Sequence, residues 1–325
     1  MRRFSFGSFY ILFILITFIS CSLMKKNESP EAPMKSDAVS NKKRFLSKGE
    51  IIARIEELPG EMSRGEESGE YMDDAYKKRL DSLIPSPMFL EGMDTLKPEP
   101  NEQSGDVKLP ESVDWTDYTT SVKDQNNGYC TAFATAGAVE ASLCKNDNLC
   151  EEDLSEQYLF SLYNKYSTRR AVEAANKYWL ADEKYWPKYG RKASNIKEFT
   201  HARISEIRYL GKDHDAMLAA LAKGRFVVIA MRTPKDMLSC RKAIRSSTSF
   251  SSGGHAIMAV GYEMSDKVKG GVYVKIKNSW GDDCGDHGFQ YVPFKGICSK
   301  SNAYCYYWEI IDSVSTKTSL CSEPN

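Results

Sequence analysis

Val122 to Leu143 reads VKDQNNGYCTAFATAGAVEASL, and the second half of this stretch decides the fold. Past Cys130 the apolar positions Phe133, Ala136, Val139 and Leu143 recur at helical spacing. Between them Ala132, Ala134, Gly137, Ala138 and Ala141 leave room for close packing, so the pattern predicts a thin, buried helix. Cys130 stands at its first turn, where unpaired backbone N–H groups and the positive end of the helix dipole favour negative charge on sulfur. A cysteine so placed is a candidate nucleophile.

A sulfur nucleophile needs a base to take its proton and an acid to give one back to the leaving group. The chain has 4 histidines. His214 lies in the acidic start of a helix and His201 in a polar connection, so both are expected at the surface; His287 sits in the turn-like Gly285-Asp286-His287-Gly288. His255 follows Gly253-Gly254 and opens AIMAVGY, a nearly continuous apolar strand that puts His255, Ile257 and Ala259 on one face. In GVYVKIKNSWG, residues 271 to 281, Val272, Val274, Ile276 and Asn278 share a strand face. The amide therefore continues a buried row and must find hydrogen-bond partners. Cys130, His255 and Asn278 together supply nucleophile, base and orienting acceptor. Trp280 is placed to cover the His–Asn bond from solvent.

Other motifs run in the same order. Residues 109 to 311 resemble the papain-like cysteine peptidases: Leu109-Pro110 with Asp114-Trp115, Val122-Lys123-Asp124-Gln125, Cys130 before Ala132-Phe133, Leu154-Ser155-Glu156-Gln157, His255-Ala256 with Val260-Gly261-Tyr262, and Lys277-Asn278-Ser279-Trp280-Gly281. His255 and Asn278 follow Cys130 at close to the roughly 130–150 residues typical of that family. The resemblance implies an α+β fold of two lobes, helical first and antiparallel β-barrel-like second, with the active site between them. It implies Cys130 as nucleophile, His255 as general acid/base, Asn278 as orienter, and Gln125 donating its side-chain amide to an oxyanion beside the backbone N–H of Cys130. It implies hydrolysis of peptide bonds through a thioester, with no cofactor and no metal. The chain departs from the family pattern at Asn127-Gly128-Tyr129-Cys130-Thr131, which lacks an upstream cysteine and the tryptophan after the nucleophile, and Gln125 stands one residue closer to Cys130 than usual. A catalytically inactive groove that binds peptides or a partner is the alternative, and transfer of the acyl group to an amine is a third.

Working outward, Asp153 with Glu156 suggests a capping box for a helix through Leu159, Phe160 and Tyr163. Helices are expected over Ala171 to Leu180 and over Asp215 to Lys223, the latter stopped by Gly224. Strands are expected at Phe226–Met231, Ala256–Tyr262, Val272–Lys277, Phe289–Val292 and Tyr306–Ile311. Helices first and strands later indicate an α+β body.

The chain of 325 residues has 44 basic and 44 acidic side chains and a mean hydropathy of −0.47, which gives no overall basic field for nucleic acid and describes a soluble body. Arg2 and Arg3 before the apolar run Phe4 to Ile19 have the layout of a signal peptide, 1–20. Phe18-Ile19-Ser20-Cys21 resembles a bacterial lipobox, which implies an exported lipoprotein attached to a membrane through lipidated Cys21. Residues 21–108 are a spacer or propeptide with two amphipathic stretches, one behind Ser47 and Glu50 and one from Met72 to Ile84. The peptidase domain is set at 109–312, with a tail at 313–325, and the protein is expected to be a monomer. Nine cysteines fit an oxidising compartment. Cys144 with Cys150 and Cys298 with Cys305 flank short turns and are the preferred disulfides; a zinc site from Cys284, His287, Cys298 and Cys305 is the weaker alternative.

Overall fold

In the computed structural model, the described residues are 97–98, 109–125, 128–188, 190–244, 250–268, 270–298 and 304–319. The signal-like run, Cys21, both amphipathic stretches of the spacer and Cys321 lie outside them, as do Asn126 and Asn127.

The apolar runs predicted as strands are buried, and all but Phe289–Val292, at the sheet edge, are interior strands. Along the chain the elements are β1 (Ser112–Asp114), α1 (Cys130–Asp147), α2 (Glu156–Tyr163), α3 (Thr168–Lys177), β2 (Leu180–Ala181), β3 (Thr200–Gly211), α4 (His214–Ala222), β4 (Phe226–Pro234), β5 (Phe250–Met264), β6 (Val272–Lys277), β7 (Phe289–Val292) and β8 (Tyr306–Ser315), with short helical turns between them. The strands form one 8-stranded sheet in the order β2-β3-β8-β4-β5-β6-β7, with β1 pairing to β5, and every named pair is antiparallel. The fold is α+β, as expected.

Alternation along β4 and β5 builds two cores. Val228, Ala230, Ala256, Met258 and Val260 face α1, whereas Val227, Ile229, Met231, Ile257 and Ala259 face α4. A strand apolar on both sides reads as a continuous run, which is why AIMAVGY shows little polar alternation. Every residue of α1 from Cys130 through Cys144 is buried on all sides, the polar Thr131, Thr135, Glu140 and Ser142 included, and only its last turn reaches the surface. A Cβ on Gly261 would stand 2.3 Å from the carbonyl oxygen of Val113, so glycine is what lets β1 lie against β5.

Several local expectations shift. Ser155, not Asp153, caps α2 by accepting from the Tyr158 N–H, and Glu156 is instead 2.8 Å from Lys123 Nζ. Ser167 caps α3, which ends at Lys177, and Leu180 belongs to β2. Asp213 caps α4 one residue earlier than predicted, and Gly224 follows with a φ of +75°. Strand β3 was not expected at all. Its register slips near Ile204, Glu206 and Tyr209, which breaks the two-residue alternation that sequence reading depends on.

Of the expected disulfides, Cys144–Cys150 and Cys298–Cys305 are present. A third, Cys240–Cys284, joins positions 44 residues apart. Cys284, Cys298 and Cys305 are thereby consumed, and the zinc alternative falls. His201 is corrected from surface to interior: it is 6% exposed on β3, with Nε2 2.5 Å from Glu152. His214 is half-buried, its ring 6.2 Å from that of Tyr307. His287, by contrast, occupies a turn at φ 51°, as expected.

Candidate active site

The start of α1 has no side-chain cap. Its N-cap residue is Tyr129, whose hydroxyphenyl group makes no cap bond; the Ala132 and Phe133 N–H groups donate to the Tyr129 carbonyl, and those of Cys130 and Thr131 are left for the sulfur. Backbone N–H groups of Cys130, Thr131 and Ala256 donate toward Cys130 Sγ. Ala256 follows His255 on β5, so the helix start and the strand bearing the imidazole meet at this thiol, the one free cysteine among the described residues.

The other two side chains meet as the sequence reading requires. His255 Nε2 lies 2.8 Å from Asn278 Oδ1, and both residues are buried. Oδ1 also accepts from the backbone N–H of Ser279 at 2.8 Å. Since that N–H can only donate, the amide oxygen must face His255, and Nε2 must carry the proton. His255 Nδ1 is left with a lone pair, buried and without a hydrogen-bond partner among the described residues. Trp280 stacks on the imidazole, with centroids 4.4 Å apart and planes 18° from parallel, and is itself buried. It covers the His–Asn pair as expected.

Burial pushes the Cys130 thiol up to about 12, against the pull of the three N–H donors. Burial also lowers His255 to about 4, opposed by its bond to Asn278. Burial thus works against charge on both groups, opposing the helix dipole and N–H donors that favour a thiolate.

Gln125 is fully buried. Its Oε1 accepts from the Ser279 hydroxyl at 2.6 Å, and its backbone N–H donates to the Ser279 carbonyl at 2.8 Å. The segment before it is fastened by Lys123, whose ammonium lies 2.6 Å from Asp153 and 2.8 Å from Glu156. Burial would lower the Lys123 pKa, but the charges of Glu156, Glu140 and Asp153 outweigh it and hold the group well above its ordinary value. Between α1 and the strands β5 and β6 a cavity of about 20 Å³, lined by Phe133, Ala134, Glu140, Met258, Lys277 and Asn278, has room for about one water.

Comparison with known proteins agrees with this geometry. Residues 109–307 match the family model described as papain family cysteine protease. The chain belongs to the papain family.

Among papain-family relatives, a pro-cathepsin H of Medicago truncatula is 30% identical over 230 residues, covering 63% of this chain and 63% of that protein. A pro-cathepsin H of Bos taurus is 28% identical over 222 residues, covering 58% of this chain and 61% of that protein. The chain thus spans less than two thirds of the length of these curated relatives. Two solved structures share the fold. Xylellain, a cysteine protease from Xylella fastidiosa, superposes with a TM-score of 0.55 at 23% identity, covering 67% of this chain and 90% of that one. Digestive procathepsin L 3 of Tenebrio molitor gives 0.56 at 21% identity, covering 73% and 79%.

This papain-family member builds the surroundings of Cys130 differently at the positions where its sequence departs. Thr131, in place of tryptophan, bonds through Oγ1 to the Tyr163 hydroxyl at 2.6 Å. Tyr129 stacks on Phe160 with centroids 4.0 Å apart, and Tyr166 lies 5.5 Å from Phe160 and 42% exposed. An aromatic cluster therefore stands beside Cys130. The sequence reading missed this cluster, and it missed Ser279 and Gln290, whose side chains hold Gln125 and Asn278. The only available signal was the position of Gln290 among apolar strand residues.

The Glu152, Asp182 and His201 side chains bring their ligand atoms within 4.8 Å of one another. Lys317 Nζ lies 2.9 Å from Glu152 and 3.2 Å from Asp182, so an ammonium already answers these carboxylates. The three disulfides fit an oxidising compartment, and no helix among the described residues is long and apolar enough to cross a membrane.

Proposed function

We propose that this protein is a cysteine peptidase that hydrolyses peptide bonds, with Cys130, His255, Asn278 and Gln125 as its working residues. The observation that carries the reading is the 2.8 Å bond from His255 to Asn278, which leaves Nδ1 as the basic nitrogen of a buried imidazole on the strand that meets the Cys130 sulfur.

Cys130 Sγ attacks the scissile carbonyl carbon as its proton passes to His255 Nδ1. The resulting oxyanion is held by the Cys130 N–H and the Gln125 side-chain amide. Collapse breaks the C–N bond, the amine leaves with the proton from Nδ1, and a thioester remains on sulfur. His255 then deprotonates water, which attacks the thioester and releases the carboxylic acid and the thiol. Asn278 holds the ring in one tautomer throughout, and Trp280 keeps water away from the bond that does so. Each step is supplied by the chain's own residues.

A second reading is an inactive groove that binds peptides. It is favoured by the complete burial of Cys130. One experiment separates the two: the chain from Leu109 onward, kept under mild reductant, is offered a peptide mixture and an epoxide trap. Hydrolysis and labelling that vanish in Cys130→Ala support the peptidase; labelling retained at another cysteine, or binding without cleavage, rejects it. Adding an amine acceptor reports acyl transfer in the same assay.

The remainder of the chain fits an exported enzyme held at a membrane: residues 1–20 as signal, Cys21 as lipid attachment, 21–108 as spacer and propeptide, and 109–312 as a monomeric peptidase domain whose last strand, β8, runs on to Ser315 before the tail. The intact mass of the mature protein tests this, since it reports acylation of Cys21 and loss of the leading segment together.

A further inference from the structure

We propose that Gln290 is a positioning residue for His255, acting through Asn278. The inference rests on the peptidase reading of the site.

Gln290 is fully buried on β7 and makes two bonds with fixed polarity. Its Nε2 donates to the carbonyl oxygen of Arg241 at 2.8 Å, and its Oε1 accepts from Asn278 Nδ2 at 2.9 Å. A backbone carbonyl can only accept, so the Arg241 oxygen decides which end of the Gln290 amide faces it. That choice turns Oε1 toward Asn278, which must answer with Nδ2 and present Oδ1 to His255. His255 then carries its proton on Nε2 and keeps Nδ1 as the base. A single backbone oxygen at one end of this chain of bonds thus bears on the tautomer at the other end.

The Ser279 N–H also holds Asn278 Oδ1, but it belongs to the next residue and moves with Asn278. Gln290 is the partner from a separate strand, and it fixes the amide plane relative to His255. The far end is anchored in turn. Tyr291 donates its N–H to the Lys242 carbonyl at 2.8 Å, and its own carbonyl accepts from Ile244 N–H at 2.8 Å. Cys240 is bonded to Cys284, the Gly285 N–H donates to the Cys240 carbonyl at 2.9 Å, and Lys242 pairs with buried Asp286 at 2.8 Å. The Arg241 carbonyl is therefore held from both sides. The Cys240–Cys284 disulfide thereby gains a role as the mooring of the orienting amide.

Two variants test this. Gln290→Met keeps the length and loses both bonds. It should lower kcat by on the order of tenfold with KM unchanged, short of the roughly 10⁴-fold loss that a wrong imidazole tautomer brings to a serine triad, because Ser279 still holds Oδ1. In a Cys130→Ala background, ¹⁵N spectra of the His255 ring should change from a single Nε2–H tautomer to a mixture when Gln290→Met is added. Gln290→Glu keeps the acceptor for Asn278 and donates to Arg241 only while protonated. Its activity should therefore fall on the alkaline side, as the carboxyl ionises against the carbonyl, at a pH where the parent enzyme is unaffected. Wild-type kcat with an unchanged ring spectrum in folded Gln290→Met would overturn the proposal. So would a Gln290→Glu pH profile that overlays the parent's, which decides the matter if the methionine variant does not fold. The ring spectra need no turnover, so they judge Gln290 even if the peptidase reading fails.

Discussion

The Ser279 hydroxyl donates to Gln125 Oε1 at 2.6 Å, so the residue next to the orienting asparagine also orients the side chain read as oxyanion donor. With Oε1 committed to Ser279, the amide hydrogens of Gln125 lie on its opposite side. Gln125→Ala should lower kcat by about 10²-fold, the usual cost of one oxyanion donor. Ser279→Ala should cost less. In the double variant the two losses should not add, because the hydroxyl acts only through the amide. Kinetics on the four proteins of this cycle check it; additive losses would mean that Ser279 acts elsewhere.

In the proposed mechanism His255 is the base, and it can serve only when unprotonated. Burial lowers its pKa to about 4, so kcat/KM should rise with pH through about 4 and stay level across neutrality. Trp280 supplies part of that burial. Trp280→Ala admits water to the ring and should move the acid limb toward the ordinary histidine value, by about one pH unit. A limb that stays in place would show that the strand and helix alone exclude solvent.

Stability should follow the same groups. His255 and His214 are both lowered to about 4, chiefly by burial. Between about 4 and 6.5 the unfolded chain binds more protons at these positions than the folded one, so stability is present above that window and is lost as pH falls through it. Glu152 adds to the trend: burial alone would raise its pKa, but bonds and charge from His201 and Lys317 outweigh this and hold it below the ordinary value. Together these groups should cost several kcal/mol by pH 4, read as a fall in urea midpoint from pH 7. His214→Phe should flatten the slope; an unchanged slope would assign it to other groups.

The disulfides should rank by the chain they close. Cys240–Cys284 spans 44 residues and Cys144–Cys150 only 6. Loop-closure entropy gives about 4 kcal/mol for the first and about 2 for the second. Paired serine substitutions compared by thermal melting should reproduce that order.

Much of this was legible because its signals are local. The α1 helix, the strands carrying His255 and Asn278, and the two short-range disulfides each rest on spacing within a dozen residues or so. What escaped depends on contacts between distant segments. Gln290 sits in a four-residue strand, and nothing in FQYV says that its amide meets Asn278 on one side and Arg241 on the other. Cys240 carries no turn motif that would pair it with Cys284. His201 looked like surface because its neighbours are polar, yet Glu152, itself held by Lys317, meets it only in the folded chain. The α2 cap went to Ser155 over Asp153 because Asp153 is drawn off by Lys123.

Helix α1 has no side open to water from Cys130 to Cys144. A helix with an outer face can accept a bulkier residue there and leave its neighbours undisturbed; this one cannot. A methyl group added at Ala136 or Ala138 would have to displace the helix itself, and with it the sulfur at its tip. Variation in this protein should therefore collect in the walls around the sulfur and spare the axle that carries it.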